Sequence, residues 1–280
     1  TAEAIKQEIR AQLGRVGVRK PGLATILVGE HPASAAYVRN KLAACEAVGI
    51  NGLPVYLDKN IGRSELLHRI ETLNAQDDVD GILVQLPLPQ HIDEREVIRA
   101  ISPDKDVDGF HPYNLGALAT SSEGFVPATP AGVAELLKRN GIATAGCEVV
   151  IVGRSNIVGT PMALLLSRPG MDATVTLCHS HTRDLHRHTL RAEILIVAAG
   201  KQGLIRADMV REGAVVVDVG IHRLPAPERP SGYRLVGDVD FDAVAPKTSA
   251  ITPVPGGVGP MTVAMLLHNT LTAFMRRVRA

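Results

Sequence analysis

No apolar run in the sequence approaches the roughly 20 residues that a helical bilayer span requires, so no membrane association is expected. Charge of either sign is also missing in excess. Thirty Lys and Arg against 29 Asp and Glu leave a net charge of +1 and a pI near 7.8, which gives no electrostatic case for nucleic acid or an anionic surface. Cysteine is scarce: Cys45, Cys147 and Cys178 are widely spaced and form no CxxC pair, and they read as buried free thiols in a reducing cytosol. The opening Thr1-Ala-Glu-Ala-Ile5 lacks the basic and apolar regions of a signal peptide. There is no initiator Met at position 1, so a trimmed N-terminus is expected. Neither an internal repeat nor a low-complexity segment is present. What remains is ordinary globular material, 280 residues with 45 % hydrophobic and 21 % charged side chains, a length that suits two domains.

The chain is organised around Glu148-Val-Val-Ile-Val-Gly-Arg-Ser-Asn-Ile-Val-Gly-Thr-Pro-Met-Ala-Leu-Leu-Leu166. Val149 to Val152 is a β-branched run short enough for a strand buried on both faces. Gly153 and Gly159 bracket a tight loop, Pro161 suits a first helical turn, and Met162 to Leu166 begin the helix. Strand, glycine loop and helix N-terminus together make an anion cradle of free N–H groups at the positive end of a helix dipole. The Gly-x5-Gly spacing is not the usual G-x-G-x-x-G, so a plain βα turn is the alternative. Further strands predicted at Ala173–Cys178, Glu193–Ala198 and Ala214–Asp218, separated by short helical segments, favour a parallel, doubly wound sheet that binds a dinucleotide at its strand C-termini.

The strand after the glycine loop, Ala173–Cys178, ends in Cys178-His-Ser-His181 and offers no carboxylate for a ribose 2′-hydroxyl, while Arg154 stands in the glycine loop. A guanidinium with a hydroxyl suits a 2′-phosphate. The cofactor reads as NADP.

Ahead of this region lies a first α/β unit without a glycine loop of its own. Ile5, Ile9 and Leu13 predict a helix over Ala2–Leu13. Leu23–Val28 and Leu53–Leu57 read as strands, and Ser64 as an N-cap for a helix over Glu65–Leu73. Gly81 to Pro89 reads as a strand with Gln85 near its C-terminal end. His31 to Ser34 open a helix that places Tyr37 and Lys41 four apart on one face. The pair suits an aromatic ring stacked on a flat heterocycle beside a lysine that shuttles protons when desolvated; the plainer reading is a packing Tyr and a solvent-facing Lys. Tyr-x-x-x-Lys also belongs to short-chain dehydrogenases, but there the glycine loop precedes the pair.

Ser102 to Gly116 reads as a carboxylate-dense loop rich in turn formers, and such loops concentrate binding groups. Asp104, Asp106 and Asp108 lack EF-hand spacing, so no metal is expected, and a single Asp accepting two N–H bonds from a substrate ring fits better. His179, His181, His186 and His188 lack partners at zinc-site spacing and read as a polar face. Gly124 to Pro130 marks the crossing into the second domain. Ile251 to Met261 is a Pro/Gly loop whose glycines permit close backbone approach to a ligand, leading into a final helix that ends near Arg277.

Five motifs stand in one order over nearly the full length: Pro32-Ala-Ser-Ala-Ala-Tyr-Val38 with Lys41, Gly81-Ile-Leu-Val-Gln-Leu-Pro-Leu-Pro89, Asp104-Lys-Asp-Val-Asp-Gly-Phe-His-Pro112, Gly153-Arg-Ser-Asn-Ile-Val-Gly-Thr-Pro161 and Pro253-Val-Pro-Gly-Gly-Val-Gly-Pro-Met-Thr262. In these the sequence resembles the bifunctional methylenetetrahydrofolate dehydrogenase/methenyltetrahydrofolate cyclohydrolase family. The resemblance implies an N-terminal α/β domain over 1–125, joined by a returning helix at 262–280, and an NADP-binding Rossmann domain over 126–261, with a cleft between them.

The resemblance also implies roles. Tyr37 matches the residue that stacks on the folate, Lys41 the lysine essential for cyclohydrolysis, Gln85 the residue that tunes it, and Asp108 the carboxylate that anchors the pterin. Pro255, Gly256 and Gly257 join the folate contacts. Gly153, Arg154 and Ser155 match the cofactor loop, Ser180 a 2′-phosphate contact, and Ile221 a backbone contact near the nicotinamide. A homodimer in the cytoplasm is implied, serving one-carbon interconversion for purine, methionine and histidine biosynthesis. The alternative within the class is a monofunctional NADP dehydrogenase; outside it, a catalytically silent dinucleotide-binding module. Ala128 departs from the Cys that many members carry, and the start at Thr1 falls later than is usual. No required chemistry is assigned to position 128.

Overall fold

The computed structural model describes residues 1–16, 19–30, 32–229 and 232–279. The chain divides into two compact units, Thr1–Ala128 with Val263–Ala280, and Thr129–Thr262.

In the first unit the order is α1 (Ala2–Leu13), β1 (Gly22–Val28), α2 (Pro32–Val48), β2 (Asn51–Leu57), α3 (Arg63–Ala75), β3 (Gly81–Val84), α4 (Glu94–Ala100) and α5 (Pro112–Ala119). The three strands form a parallel sheet in the order β2-β1-β3. β1 is central and all seven of its residues are buried, as expected of a strand covered on both faces. Ala24, Ile26 and Val28 with Ile82 and Val84 meet Leu66, Ile70 and Leu73 of α3 on one face. β2 alternates between half-buried and exposed positions, and as an edge strand it tolerates Pro54.

Several elements depart from the sequence expectation. The strand predicted over Gly81–Pro89 stops at Val84, and Gln85 follows it directly. α3 is capped by Gly62 in an extended conformation, so Ser64 lies inside the first turn and caps nothing. The segment 102–116 is not wholly loop: His111 Nδ1 accepts the Tyr113 N–H and starts α5, with Pro112 in its first turn. His31, expected to open α2, lies outside the described residues.

The second unit runs through α6 (Ala128–Arg139), β4 (Glu148–Val152), α7 (Gly159–Ser167), β5 (Thr174–Cys178), α8 (Leu185–Thr189), β6 (Ile194–Val197), β7 (Val215–Asp218), the antiparallel hairpin β8 (His222–Pro225) and β9 (Tyr233–Val236), α9 (Phe241–Val244) and β10 (Ala250–Ile251). Its five-stranded sheet is parallel, in the order β10-β7-β6-β4-β5. The two-residue period of a strand divides the side chains between two cores. Val150, Val152, Leu195, Val197 and Val216 fill one; Val149, Ile151, Ile194, Ile196 and Val217 fill the other. The chain passes from β4 to β5 on one side and returns to β6 on the other, so the strand order reverses at the C-terminal end of β4. Ligands of open α/β sheets bind at such a switch point. Among the described residues no helix is long and apolar enough to cross a membrane.

The final helix, α10 (Val258–Arg279), begins inside the stretch expected to be loop. Gly259 and Pro260 fall in its first turn, where a missing N–H breaks no intrahelical bond. From Val263 it belongs to the first unit. Buried Asn269 donates through Nδ2 to the carbonyls of Val107 (2.9 Å) and Val126 (3.0 Å). Near the far end Arg277 reaches the Val79 carbonyl at 2.8 Å and Asp80 at 3.3 Å.

Asp80 is fully buried. It also accepts both guanidinium arms of Arg19 (2.6 and 2.7 Å) and the Gly22 N–H (2.9 Å). One carboxylate thus ties the start of β1, the entry to β3 and α10. Removing it takes the carboxylate partner from Arg19 and leaves Arg277 with Asp77 alone. Asp80→Ala should therefore lower the unfolding free energy by about 3 kcal/mol, read as a shift of the urea midpoint at unchanged slope.

Candidate active site

Three side chains converge at the carboxyl ends of the first unit's strands. Lys41 projects from the middle of α2. Gln85 emerges where β3 ends, its backbone N–H still bonded to the Ile26 carbonyl of β1 at 2.9 Å. Asp108 is delivered by the segment beside β3, where the Ile82 N–H donates to the Lys105 carbonyl at 2.7 Å and Ile82 pairs in parallel with Asp106. Lys41 Nζ donates to Gln85 Oε1 at 3.0 Å, and Gln85 Nε2 donates to the Leu86 carbonyl at 2.8 Å. The second bond fixes which end of the amide faces the lysine.

Burial lowers the pKa of Lys41, against the opposing pull of Asp108 and Cys45. The Asp108 carboxyl is pushed up to about 6, mainly by burial, with Asp106 adding to the rise and Lys41 opposing it. Lysine and carboxyl are therefore each displaced toward neutrality, and each restrains the displacement of the other. Both keep some surface exposure, so a ligand can reach them while protein surrounds their charged ends. Tyr37, one turn before Lys41 on the same helix, is 42 % exposed and offers a ring face to a ligand.

Sequence reasoning did not single out Cys45 as part of this cluster. It lies one turn beyond Lys41 and is fully buried, with a thiol pushed up to about 12 by burial. Of the other cysteines Cys178 is buried, but Cys147 is only half-buried, a correction to the expected burial of all three. Asp106 turns inward and accepts the His111 N–H and Asn114 Nδ2, both at 2.8 Å. Its role is to hold the loop that carries Asp108. Among the described residues no group of three or more His, Cys, Asp or Glu side chains could hold a metal ion.

In the second unit the glycine loop follows β4 at the switch point. Gly153 has φ 121°, and a Cβ there would lie 2.0 Å from the Ala198 carbonyl oxygen; a Cβ on Gly159 would lie 1.8 Å from the Gly153 carbonyl oxygen. Both positions demand glycine because backbone meets backbone. Ser155 Oγ accepts the Val158 N–H at 3.2 Å and Thr160 Oγ1 donates to the Arg154 carbonyl at 3.2 Å, folding the loop on itself. No side chain caps the N-terminus of α7, which keeps its dipole available to an anion. Arg154 and Ser180 are exposed. Desolvation first, then Arg154 and His181, lower the pKa of His179, so the ring is pushed toward its neutral form beside the Arg154 guanidinium at the end of β5. Ile221, just past β7, is 49 % exposed. Pro255 and Gly256 are exposed and Gly257 half-buried, with the Gly257 N–H turned back to the Pro253 carbonyl at 3.0 Å.

A desolvated lysine–amide–carboxyl cluster in one unit and a dinucleotide cradle in the other define an α/β enzyme that works with a nucleotide cofactor. The family comparisons agree. Residues 1–108 match the tetrahydrofolate dehydrogenase/cyclohydrolase catalytic domain, and residues 127–278 match the NAD(P)-binding domain of the same family. The bifunctional protein FolD of Cytophaga hutchinsonii is 53 % identical over 279 residues, covering 98 % of this chain and 96 % of that protein. The crystal structure of the bifunctional FolD dehydrogenase/cyclohydrolase from Campylobacter jejuni is 51 % identical with a TM-score of 0.93, over 99 % of this chain and 96 % of that one. A Trypanosoma brucei FolD structure, complexed with NADP cofactor and inhibitor, is 42 % identical with a TM-score of 0.94, over 100 % and 96 % of the two chains. The chain belongs to the tetrahydrofolate dehydrogenase/cyclohydrolase family.

The electrostatic coupling has a measurable sign. In carbon-detected NMR of carboxyl-labelled protein, Asp108 should titrate near pH 6 rather than near 3.8. Lys41→Met should move it higher still, because the positive charge that opposes the rise is gone. At this residue alone, stability is greatest below pH 3.8 and is lost as pH rises through about 6. A carboxyl titrating near 3.8, or one that Lys41→Met leaves in place, would contradict the coupling.

Proposed function

We propose that this chain oxidises 5,10-methylenetetrahydrofolate to the 5,10-methenyl form with NADP, and then hydrolyses that product to 10-formyltetrahydrofolate. The observation that carries the second activity is the Lys41–Gln85 hydrogen bond inside a site that disfavours the lysine's charge. The cradle that admits no Cβ at Gly153 or Gly159 suits a pyrophosphate pressed against backbone. Gly153 and Ser155 hold that end. Arg154 and Ser180, exposed beside a strand end without a carboxylate, would take the 2′-phosphate, which favours NADP over NAD. Ile221 offers its backbone near the nicotinamide.

NADP bound at this cradle would supply the hydride acceptor for the folate's methylene carbon. The two flanking nitrogens of the folate spread the resulting positive charge, so this step needs no side-chain acid or base, only positioning and exclusion of water. Tyr37 stacks on the flat ring system, and the Asp108 carboxylate accepts two ring N–H bonds. Pro255, Gly256 and Gly257 allow backbone to approach the same ligand.

Hydrolysis adds water to the cationic carbon and opens one C–N bond, and it does require proton transfer. Lys41 moves that proton. A cationic substrate lowers its pKa further by like-charge repulsion. Gln85 holds the amine through a neutral oxygen, so the lysine is oriented without acquiring a counter-charge.

On the family resemblance we also assign the protein a homodimeric state, a cytoplasmic location and a place in the one-carbon supply to purine, methionine and histidine biosynthesis. The two activities separate in a stopped assay that follows reduced cofactor and methenyl absorbance together. Wild-type protein should form NADPH without lasting methenyl accumulation. In Lys41→Met, cyclohydrolase should fall by about 100-fold or more, the range of a lost general acid–base group, and methenyl product should accumulate. Full hydrolysis in that variant would remove Lys41 from the mechanism; accumulation in the wild type would leave a dehydrogenase alone.

A further inference from the structure

The second unit contains a buried polar network that the proposed chemistry does not use. Asp238, between β9 and α9, is fully buried. Its Oδ2 accepts the N–H groups of Ala199 at 2.7 Å and Gly200 at 2.9 Å, just beyond the carboxyl end of β6. Its Oδ1 accepts the Nε2–H of His222 at 2.7 Å, at the start of β8. A second buried carboxylate, Asp218 at the end of β7, accepts the N–H groups of Gly220 (2.9 Å), Asp238 (3.0 Å) and Val239 (2.9 Å). The loop 219–222 is thus pinned at its base by Asp218 and at its far end through His222. A Cβ on Gly220 would lie 2.4 Å from the Asp238 carboxyl, so the loop wraps directly over that group.

Two features point beyond simple cohesion. Ile221, between the two pins, is held by them yet remains half exposed at the strand edge where this fold binds cofactor. Ala199 and Gly200 follow Ala198, whose carbonyl oxygen occupies the space that a Cβ on Gly153 would need. One carboxylate therefore sets the floor beneath the glycine loop and, through an imidazole, the loop that carries Ile221. The His222 side chain is 23 % exposed and Asp238 already has two amide donors. What the third bond adds is therefore mainly the position of the loop.

We infer that His222, held by Asp238, is a positioning residue for hydride transfer, fixing loop 219–222 so that Ile221 meets the nicotinamide end of NADP. The inference rests on the NADP-dependent reading above and deepens it. The adenosine 2′-phosphate and pyrophosphate are held elsewhere, by the glycine loop and the end of β5. Releasing His222 should therefore disturb orientation more than affinity, and small misplacements of a reacting group are costly in rate.

The test uses the full chain and three readouts: dehydrogenase kcat, NADPH affinity by cofactor fluorescence, and cyclohydrolase activity on methenyl substrate without NADP. In His222→Leu the dehydrogenase kcat should fall by about tenfold or more. NADPH affinity should stay within about threefold and cyclohydrolase within about twofold of wild type. His222→Gln, whose amide N–H can reach the same carboxylate oxygen, should restore most of kcat. An unchanged kcat in His222→Leu, an equal loss of both activities, a loss confined to affinity, or failure of Gln to rescue would each overturn the positioning role. A wild-type protein that reduces no NADP would overturn both this inference and the function on which it rests.

Discussion

A parallel sheet places the carboxyl ends of all its strands on one edge, and this constraint governs where chemistry can occur in both units. At that edge the backbone leaves the ladder, and loops must satisfy their own polar groups or present them to a ligand. In the first unit the ends of β1 and β3 and the adjoining segment 105–107 set out Gln85 and Asp108 beneath Lys41. In the second the ends of β4, β5, β6 and β7 carry the glycine loop, the turn with Ser180, the Ala199–Gly200 amides and the Ile221 loop. The bodies of the interior strands β1, β4 and β6 are apolar and buried almost throughout, which makes the edge a rigid platform.

The polar partner chosen for Lys41 follows from electrostatics. Burial lowers the lysine's pKa, and Asp108 already works against that effect. A carboxylate in place of Gln85 would add a second opposing charge and hold the lysine in its protonated form. An amide oxygen accepts the same hydrogen bond and supplies no net charge. Asp108 faces the converse problem: burial favours its neutral acid, and the lysine's charge helps to retain the carboxylate that would bind ring N–H groups. Neither group is tuned in isolation, and a third charge would upset both.

Local pattern made much of this architecture legible. Helix α1 has the bounds that Ile5, Ile9 and Leu13 predict, and the β-branched run before Gly153 is an interior strand of its sheet, between β6 and β5. The glycines at 153 and 159 are required by contacts that the sequence only hints at. Where local cues misled, a neighbour or a competing turn decided the outcome. Ser64 is a good cap by type, but Gly62 adopts the extended conformation two residues earlier and the helix begins there. Gly81 to Pro89 looks like one apolar strand, yet the ladder ends at Val84 and Gln85 is freed to face the lysine. Least legible was the Asp218–Asp238–His222 network. Apart from the local Gly220–Asp218 bond, its bonds join residues 16 to 39 apart in sequence, and no periodicity or spacing rule marks such a pairing. The available signal was chemical: two aspartates at or just past strand ends, each within two residues of a glycine.

Two buried aspartates show how one residue type serves different ends. Asp80 is closed by two guanidinium groups and one amide, an arrangement in which formal charge is matched by formal charge. Such a closure suits a joint between α10 and the first sheet, because one buried carboxylate is shared by an arginine from each side of it. Asp238 is closed by two backbone amides and one imidazole. Its amide donors lie just past the carboxyl end of β6, and the imidazole adds the one bond that reaches the loop 219–222. That difference makes the first a fastening between elements and the second a stop for one loop, at the edge where a cofactor must be aimed.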